Sequence, residues 1–279
     1  MAARTASFTA RRPSSMDKGR LLDRAAQSPE ERVLLARVLD KYEQAQRRNL
    51  PTETGFLSPQ EQAAARALLS AAGIRDGFCF FGGYGGAERQ KLLFAPEWMT
   101  AEELPAQAAI AAVCCRFYEG DKLSHRDFLG SLMGLGLVRE KLGDILVETG
   151  HAVILADTSV EEFLLREYVS AGRTKLSVSP LPLHELCPPE KKVKDIRDTV
   201  MSLRLDSVCA GGFGVSRGRA AELIAAGRVE LNWRVCQKAD RTVAEGDVIS
   251  CRGLGKFEVA EVGGLSKKGR TGLLLKRYL

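Results

Sequence analysis

Hydrophobic positions in the first quarter of the chain recur at helical spacing. Ser28-Pro29-Glu30-Glu31 has the residues of a capping box with proline at the first helical position, and Ser58-Pro59-Gln60-Glu61 repeats the arrangement. The apolar residues that follow the first box fall on one helix face: Val33, Leu34, Leu35, Val38 and Leu39. Residues 49–57 lie between the two helices and are predicted to form a loop. We predict a helical N-terminal domain over residues 17–73.

The middle of the chain alternates short apolar runs with amphipathic segments. Two strands around the glycine-rich turn at residues 82–86 come first. Further strands are predicted at residues 110–117, 144–147, 151–155 and 175–178, with helices capped by Ser124 and Ser159. The order βαββαβ is that of an RRM-like or ferredoxin-like fold. We assign this central domain to residues 74–180, and the fold class of the chain is α+β.

The last third of the chain reads as a stiff linker followed by a small αβ domain. Four prolines and three lysines fall within residues 180–194, and the linker is assigned to residues 181–199. A short helix begins at Leu203, and Ser216 can cap a second helix that Gly227 ends. Strands are predicted at residues 229–232, 235–237 and 248–251. This domain is assigned to residues 200–279.

Positive charge is concentrated at the C-terminal end. The net charge is +6; residues 191–279 carry 18 Lys/Arg against 10 Asp/Glu, whereas the preceding residues carry 23 against 25. A basic module on a near-neutral chain is the footprint expected of a polyanion-binding domain. The hydropathy pattern contains no run long enough for a membrane helix, and we expect no membrane partner.

Cysteine and histidine usage gives no support for a metal site. The seven cysteines contain no C-x-x-C pair, and the three histidines lie far apart in sequence. We expect reduced thiols, no metal, no cofactor and a cytoplasmic location. The first residues lack acids and superficially resemble a transit peptide, but residues 1–16 are interpreted as a disordered extension that precedes a plausible start at Met16.

The candidate nucleic-acid contacts lie in the basic module. Two helices on a small sheet would bring Arg204, Ser216, Arg217 and Arg219 close together, and Arg228, Arg234 and Lys238 could extend the same face. Backbone N–H groups at a helix N-terminus favour an anion, and guanidinium groups add bidentate bonds to phosphate. The sequence therefore predicts a phosphate-binding surface here.

The central domain offers weaker candidates. RRM domains stack bases on aromatic rings of their central strands, but the segments 111–115 and 152–155 contain none. Any RNA contact there should come from basic edges, namely Arg116, Arg126, Arg139 and Lys141. The glycines at 82–86 do not match the phosphate-loop spacing, and His125-Arg126-Asp127 lacks the rest of a kinase catalytic loop. Backbone freedom at a tight turn is the favoured explanation for the glycines.

Two family resemblances follow from these residues. Arg204-Leu205-Asp206, Ser216-Arg217, Leu223-Ile224 and Asn232 resemble the RNA-binding domain named after small-subunit ribosomal protein S-four. The segments 81–84, 87–89, 125–136 and 143–145 resemble the bacterial YlmH-like family, whose members combine a helical N-terminus, an RRM-like centre and this S-four-type domain. The first resemblance adds Asp206 and Asn232 to the candidate RNA-binding residues.

The YlmH-like resemblance implies a non-enzymatic RNA-binding protein. It implies rRNA and tRNA as partners, on large ribosomal subunits that carry peptidyl-tRNA, in ribosome-associated quality control. We expect a protein that is monomeric when free and ribosome-associated in the cytoplasm, with no catalytic residues. The alternative is an RNA-modifying enzyme, of the rRNA methyltransferase or pseudouridine synthase class, that uses the S-four-type domain to bind its substrate.

Overall fold

The computed structural model describes residues 15–189, 193–265 and 269–278, with side chains from residue 18 onward. The predicted extension therefore lies almost wholly outside the described residues. The chain divides into two compact units, Met1–Pro189 and Glu190–Leu279. Each unit is described by itself below.

The N-terminal part of the first unit packs three helices on a three-stranded sheet. In chain order the elements are α1 (Ser15–Ala25), α2 (Pro29–Arg48), β1 (Thr52–Leu57), α3 (Pro59–Ala71), β2 (Phe78–Phe81) and β3 (Gln90–Phe94). Ser28 and Ser58 cap α2 and α3, as predicted, and each is followed by proline in the first helical turn. The antiparallel sheet has the order β1-β3-β2, and its inner face contributes Leu92 and Phe94 to the helical core.

The loop predicted at residues 49–57 is wrong for most of its length, because β1 lies there. Its polar sequence and the irregular register between Glu53 and Phe56 hide the alternation expected of a strand. The N-terminal part is therefore not purely helical. The boundary predicted between residues 73 and 74 separates α3 from β2 and β3, although β3 pairs with β1 and β2 pairs with β3 in one sheet.

The centre of the first unit has the predicted βαββαβ order. Its elements are β4 (Ile110–Arg116), α4 (His125–Gly134), β5 (Leu142–Glu148), β6 (His151–Asp157), α5 (Glu161–Glu167), the short strands β7 (Ser170–Ala171) and β8 (Thr174–Lys175), and β9 (Ser177–Leu181). The antiparallel sheet has the order β5-β6-β4-β9, in which the first and third strands of the motif are central. The RRM-like topology and the α+β class are confirmed. Ser159 lies in a 3-10 turn rather than at the cap of α5.

The two faces of this sheet are both buried. Val113 and Ile154 point towards α4 and α5, where Phe128 and Leu164 complete the core. On the opposite face, Ala112 and Leu155 pack against Phe56 of β1. This second face is the one on which an RRM domain stacks bases. In this chain it is covered by the protein's own N-terminal part.

A buried lysine ties the two sheets of the first unit together. Lys91 on β3 is fully buried, and its Nζ donates to Glu53 Oε1 at 2.5 Å, Asp157 Oδ2 at 2.7 Å and the Ala109 carbonyl at 2.8 Å. A buried charge of this kind is tolerated only with such partners. Burial opposes ionisation of Asp157, but hydrogen bonds from Lys91, Ser159 and Lys141 outweigh it and hold its pKa below the ordinary range.

The second unit packs two helices on a six-stranded antiparallel sheet. Its elements are β10 (Val193–Val200), α6 (Leu205–Phe213), α7 (Arg217–Ala225), β11 (Val229–Leu231), β12 (Arg234–Val235), β13 (Val248–Cys251), β14 (Gly255–Leu265) and β15 (Thr271–Tyr278). The strand order is β10-β15-β14-β13-β11-β12. Phe213 of α6 meets Phe257 of β14 edge-to-face, with ring centroids 4.8 Å apart, at the centre of the core.

The predicted linker over residues 181–199 is corrected at its C-terminal end. Residues 193–200 form β10, which pairs along its whole length with β15. Its sequence alternates lysine, aspartate and arginine, which resembles a solvated connection. Charged side chains are also what natural edge strands carry, because they discourage pairing with other chains. Residues 190–192 of the linker lie outside the described residues.

One close approach in this core gives a stability prediction. A Cβ on Gly212 of α6 would overlap the Phe257 ring, whereas a Cβ on Gly218 of α7 meets open space. Gly212→Ala should therefore lower the free energy of unfolding of the second unit by about 1–3 kcal/mol, despite the better helix propensity of alanine. Urea titration followed by the fluorescence of Trp233, in a Trp98→Phe background, measures it.

Gly218→Ala is the matched control for that change. Both glycines lie in helices of the same unit, but residue 212 is buried against the Phe257 ring and residue 218 is exposed with open space above it. Alanine at 218 should stabilise the unit by about 0.4–1 kcal/mol. Equal effects of the two substitutions would show that contact with Phe257 does not constrain residue 212.

Candidate nucleic-acid interface

A buried carboxylate near the start of α6 organises the candidate site. Arg204 is the N-cap residue of α6, and Asp206 lies in its first turn. The backbone N–H groups of Leu205 and Asp206 donate to the carbonyls of Arg241 and Ala239, at 2.8 and 3.0 Å, so a second segment fixes this turn. The Asp206 side chain is only 6% exposed.

Two arginines share the Asp206 carboxylate. Arg204 donates from Nε to Oδ1 at 3.1 Å and from Nη2 to Oδ2 at 3.0 Å. Arg217, the first residue of α7, donates to Oδ2 from Nε and Nη2, both at 3.1 Å. Burial of the Asp206 carboxyl disfavours its ionised form, but the hydrogen bonds from both arginines outweigh that effect and lower its pKa. We call Arg204, Asp206 and Arg217 the arginine clamp.

The clamp leaves hydrogen-bonding capacity at the surface. The side chains of Arg204 and Arg217 are 40% and 58% exposed. Each guanidinium has five N–H donors, and in the described part of the chain neither Nη1 atom has a partner. The carboxylate thus holds two guanidinium groups side by side while part of each faces solvent. A phosphate oxygen is the matching acceptor.

Ser216 starts α7 beside the clamp. Its Oγ accepts a hydrogen bond from the Arg219 backbone N–H at 3.2 Å, as expected of the predicted cap. The side chain of Arg219 pairs with Glu222 one turn along the helix, at 2.8 Å. Ser216 and Arg219 therefore lie next to the clamp, but Arg219 already has an acidic partner.

The remaining candidate residues are spread over the β11–β13 region. Arg228 donates to the Arg252 carbonyl at 2.8 Å. The amide of Asn232 is used internally, because its Nδ2 donates to Asp247 Oδ1 at 2.8 Å and its Oδ1 accepts from the Val248 N–H at 2.9 Å. Arg234 is half-buried in β12, and Lys238 is exposed. Asn232 therefore holds the hairpin in shape, and its amide is not free for RNA.

Two features of this region were missed from the sequence. Asn232 and Trp233 form the turn between β11 and β12, and both have positive φ, 51° and 60°. Such a turn normally takes glycine at its second position, so a tryptophan there is strained. Arg252, in the β13–β14 turn, lies beside Arg228 through its carbonyl. In the sequence, Arg252 is followed closely by Gly253 and Gly255. A basic residue in such a glycine-rich turn could have been chosen as a candidate phosphate contact.

The glycine-rich segment of the first unit has a structural role. Asp144 accepts hydrogen bonds from Tyr84 Oη at 2.8 Å and from the backbone N–H groups of Glu88 and Arg89 at 2.7 and 2.9 Å. Gly83 has φ +99°, and a Cβ there would lie 2.9 Å from Leu155 Cδ1. Backbone freedom and close packing explain this glycine, as predicted.

Arg89 continues this network towards three backbone carbonyls. It donates to those of Leu142, Phe56 and Arg139 at 2.9, 2.9 and 3.0 Å. Burial of the guanidinium, with repulsion from Arg139, lowers the pKa of Arg89 to about 10. The segment that suggested a cofactor loop therefore fastens the N-terminal sheet to the central one.

The basic edges predicted for the central domain differ in accessibility. Arg116 and Arg126 are exposed. Lys141 is engaged by Asp157 and Ser159, at 3.1 and 2.9 Å, and Arg139 is half-buried. Across residues 15–189, 193–265 and 269–278, no cluster of His, Cys, Asp and Glu could hold a metal ion, and no helix has the length and hydropathy to span a membrane.

Comparison with known proteins places these features in a family. Family models match three segments: the YlmH N-terminal domain at residues 30–98, the YlmH RNA-binding domain at residues 116–185 and the S4 domain at residues 203–249. A curated relative, "Ribosome-associated protein quality control protein P2" of Bacillus subtilis (strain 168), is 35% identical over 226 residues, which are 80% of this chain and 86% of the relative. The chain belongs to the YlmH family.

The YlmH family match agrees with the resemblance seen in the sequence, which is confirmed. By its matched domains the chain is an RNA-binding protein. The S4 match contains the whole arginine clamp and ends within β13, so β14, β15 and β10 lie outside it. A solved structure, "Cell division protein ylmH from Streptococcus pneumoniae", is 22% identical and covers 57% of this chain and 96% of its own, with a TM-score of 0.47.

The lowered pKa of Asp206 gives a pH-dependent stability prediction. A carboxyl with a depressed folded-state pKa contributes its full stability above about pH 4 and loses it as the pH falls through the folded value. Asp206→Asn should therefore lower the unfolding free energy of the second unit by about 1–3 kcal/mol at neutral pH. The difference from wild type should shrink below about pH 4. Urea titrations followed by Trp233 fluorescence across this range, in a Trp98→Phe background, test it.

Asp240→Asn serves as the control for the stability measurement. Asp240 is an exposed acid that lies near the clamp in space and helps to raise the pKa of Arg204 by its charge, but in the described part of the chain its side chain makes no hydrogen bond. Its substitution should leave the unfolding free energy nearly unchanged at every pH. A constant Asp206→Asn effect from neutral to acid pH would contradict the assignment of an ionised, clamp-bound carboxylate.

Proposed function

We propose that this protein binds RNA without catalysing a reaction, and that it acts on the large ribosomal subunit in ribosome-associated quality control. Its partners would be rRNA and tRNA on subunits that carry peptidyl-tRNA. The single observation that carries the proposal is the arginine clamp, a buried carboxylate that holds two exposed guanidinium groups within a matched S4 domain. The name of the B. subtilis relative supports the ribosomal context.

The clamp suits structured RNA because it is set before binding. Free arginine side chains lose rotamer entropy when they grip a phosphate. Arg204 and Arg217 are already held by Asp206, so less freedom remains to be lost. Contacts to phosphate fix the register of a protein on nucleic acid without reading the bases. The clamp therefore supplies affinity and orientation, and recognition of a particular site rests on RNA shape.

The non-enzymatic assignment is part of the same proposal. In the first unit, the backbone N–H groups of Glu88 and Arg89 are occupied by Asp144, so they do not cradle a cofactor phosphate. In the second unit, Asp206 of the Arg-Leu-Asp tripeptide would be the candidate for a catalytic aspartate. Its carboxylate is instead buried beneath two arginines and bonded to both. We propose a cytoplasmic, ribosome-associated protein that needs no cofactor and is monomeric when free.

The main test removes both clamp arginines. Arg204→Ala plus Arg217→Ala should abolish co-sedimentation of the tagged protein with large ribosomal subunits at moderate salt. With purified rRNA, the slope of log affinity against log salt should fall by about 1.5, since two phosphate contacts are lost. Quantitative sedimentation and filter binding over a salt series measure these effects, and urea titration checks that the variant is still folded, since it leaves Asp206 buried without its two partners.

The matched control removes two cations elsewhere on the same unit. Lys194 and Arg197 are exposed on β10, outside the S4 match. Lys194→Ala plus Arg197→Ala lowers the net charge equally and should leave sedimentation intact. Equal losses in the two double variants would attribute binding to overall charge and would contradict a specific clamp.

Asp206 provides a test in which two explanations predict opposite signs. If Asp206 only adds negative charge near RNA, Asp206→Asn should increase RNA affinity. If it positions the two arginines, the same substitution should weaken binding by roughly tenfold, because charged hydrogen bonds that hold the guanidinium groups are lost. Asp240→Asn, which removes an exposed acid nearby, should leave affinity equal or slightly higher. Filter binding to rRNA decides between them.

A further inference from the structure

The first unit exposes a tryptophan on its surface. Trp98 lies shortly after β3 in the chain. Its side chain is 60% exposed, although tryptophan side chains are largely buried in most folded proteins. Its indole Nε1 donates to the Asn49 carbonyl at 3.0 Å. That bond fixes the ring against the end of α2 and satisfies its polar atom. The exposed ring surface is therefore held in place with no hydrogen bond left to make.

The end of α2 brings cations to this ring. Asn49 is the C-cap of α2 and adopts the left-handed conformation, with φ 56° and ψ 36°. The residues just before it are Arg47 and Arg48, and both are exposed. Leu50, just after it, is 58% exposed. The hydrogen bond from Trp98 to Asn49 thus places an aromatic ring beside a pair of guanidinium-bearing residues.

Acidic groups near the patch are largely balanced. Glu43 is shared by Lys18 and Arg47, at 3.0 and 3.4 Å. Glu97, which precedes Trp98, is an exposed acid. Within the part of the chain that the structure describes, Arg48 makes no side-chain hydrogen bond or ion pair. Arg48 and Glu97 are therefore one cation and one acid near the ring that have no ion-pair partner among the described residues, and Arg48 is free to meet an anionic ligand.

We propose that Trp98 and Arg48 form a second RNA-binding site, in which an unpaired base stacks on the indole and Arg48 contacts the adjoining phosphate. The proposal rests on the proposed function for its ligand class, but it assigns RNA contact to the N-terminal part, outside both matched RNA-binding domains. Aromatic rings beside cations are how proteins hold single-stranded nucleic acid. Leu50 and Trp98 alone form a small apolar area, which favours RNA over a protein partner.

The covered face of the central sheet strengthens the choice of this surface. An RRM domain would bind bases on that sheet, but here Phe56 packs against Ala112 and Leu155. Bases cannot stack there while the first unit is folded. Trp98 supplies, in the same unit, an exposed aromatic face of the kind that the sheet lacks.

The two tryptophans allow the proposal to be tested directly. Trp98 and Trp233 are the tryptophans of the chain, so Trp233→Phe leaves Trp98 as the one indole fluorophore. Full-length protein with Trp233→Phe is titrated with a short oligouridine, which should quench Trp98 fluorescence. The same titration is repeated with Arg204→Ala plus Arg217→Ala added. Quenching should persist there, because the second site does not need the arginine clamp.

Substitutions in that background separate stacking from charge. Trp98→Ala should weaken oligouridine binding by ~10-fold and leave the salt slope unchanged, whereas Trp98→Phe should retain most of the affinity. Anisotropy of labelled oligouridine measures both.

Arg48→Gln should reduce the slope of log affinity against log salt by about 0.7, since one phosphate contact is lost. Arg24→Gln is its control, because Arg24 is also exposed but lies far from the ring. Its neighbour Asp23 pairs with Arg32 near the N-terminal end of α2, whereas Arg48 is at the C-terminal end.

The outcomes divide cleanly. Unquenched Trp98 with saturating oligouridine, or equal effects of Arg48→Gln and Arg24→Gln, overturns the second site. If ribosomal proteins freed of rRNA quench Trp98 while oligouridine does not, the patch meets protein and the proposal is again overturned. Failure of the arginine-clamp variants to weaken rRNA binding would instead contradict the proposed function. Quenching by oligouridine with the expected variant pattern supports the second site.

Discussion

The second unit depends on one physical constraint: a carboxylate removed from water must be paired. Asp206 is buried, and a lone charge there would cost several kcal/mol. Arg204, the N-cap of α6, and Arg217, the first residue of α7, both pair with it, so the starts of α6 and α7 are held at a fixed separation. The same pairing that stabilises this corner leaves two guanidinium groups at the surface. In the proposed function, folding and phosphate recognition therefore use the same three side chains.

In the first unit, buried polar contacts join two sheets and do not present side chains at the surface. Lys91 pairs with Glu53 and Asp157, while Asp144 receives Tyr84 and two backbone N–H groups. Both sets join the N-terminal sheet to the RRM-like sheet. Because they do so, the face that would bind bases in an RRM becomes an internal packing surface. The fold of an RNA-binding domain is kept, but its usual surface is not available.

Local patterns predicted the elements that depend on local rules. Ser28, Ser58 and Ser216 cap helices because a side-chain oxygen close in sequence can accept a free N–H. The βαββαβ order also followed from alternating runs. The strands β1 and β10 were missed because both are polar, and their pairing with β3 and β15 joins residues far apart in sequence. Pairing with a distant strand can stabilise a segment as a β-strand even when its own sequence has little preference for that structure.

For the candidate site, the sequence could not show which side chains are exposed and which already have partners. Residue type placed Arg217 among the RNA contacts, and the resemblance to the S-four-type domain added Asp206 and Asn232. The structure separates them, because Asp206 lies beneath the arginines and the Asn232 amide is bonded within its hairpin. Conversely, nothing about Trp98 in the sequence distinguishes an exposed ring from a core residue. Which groups remain free to bind is fixed by burial and existing partners.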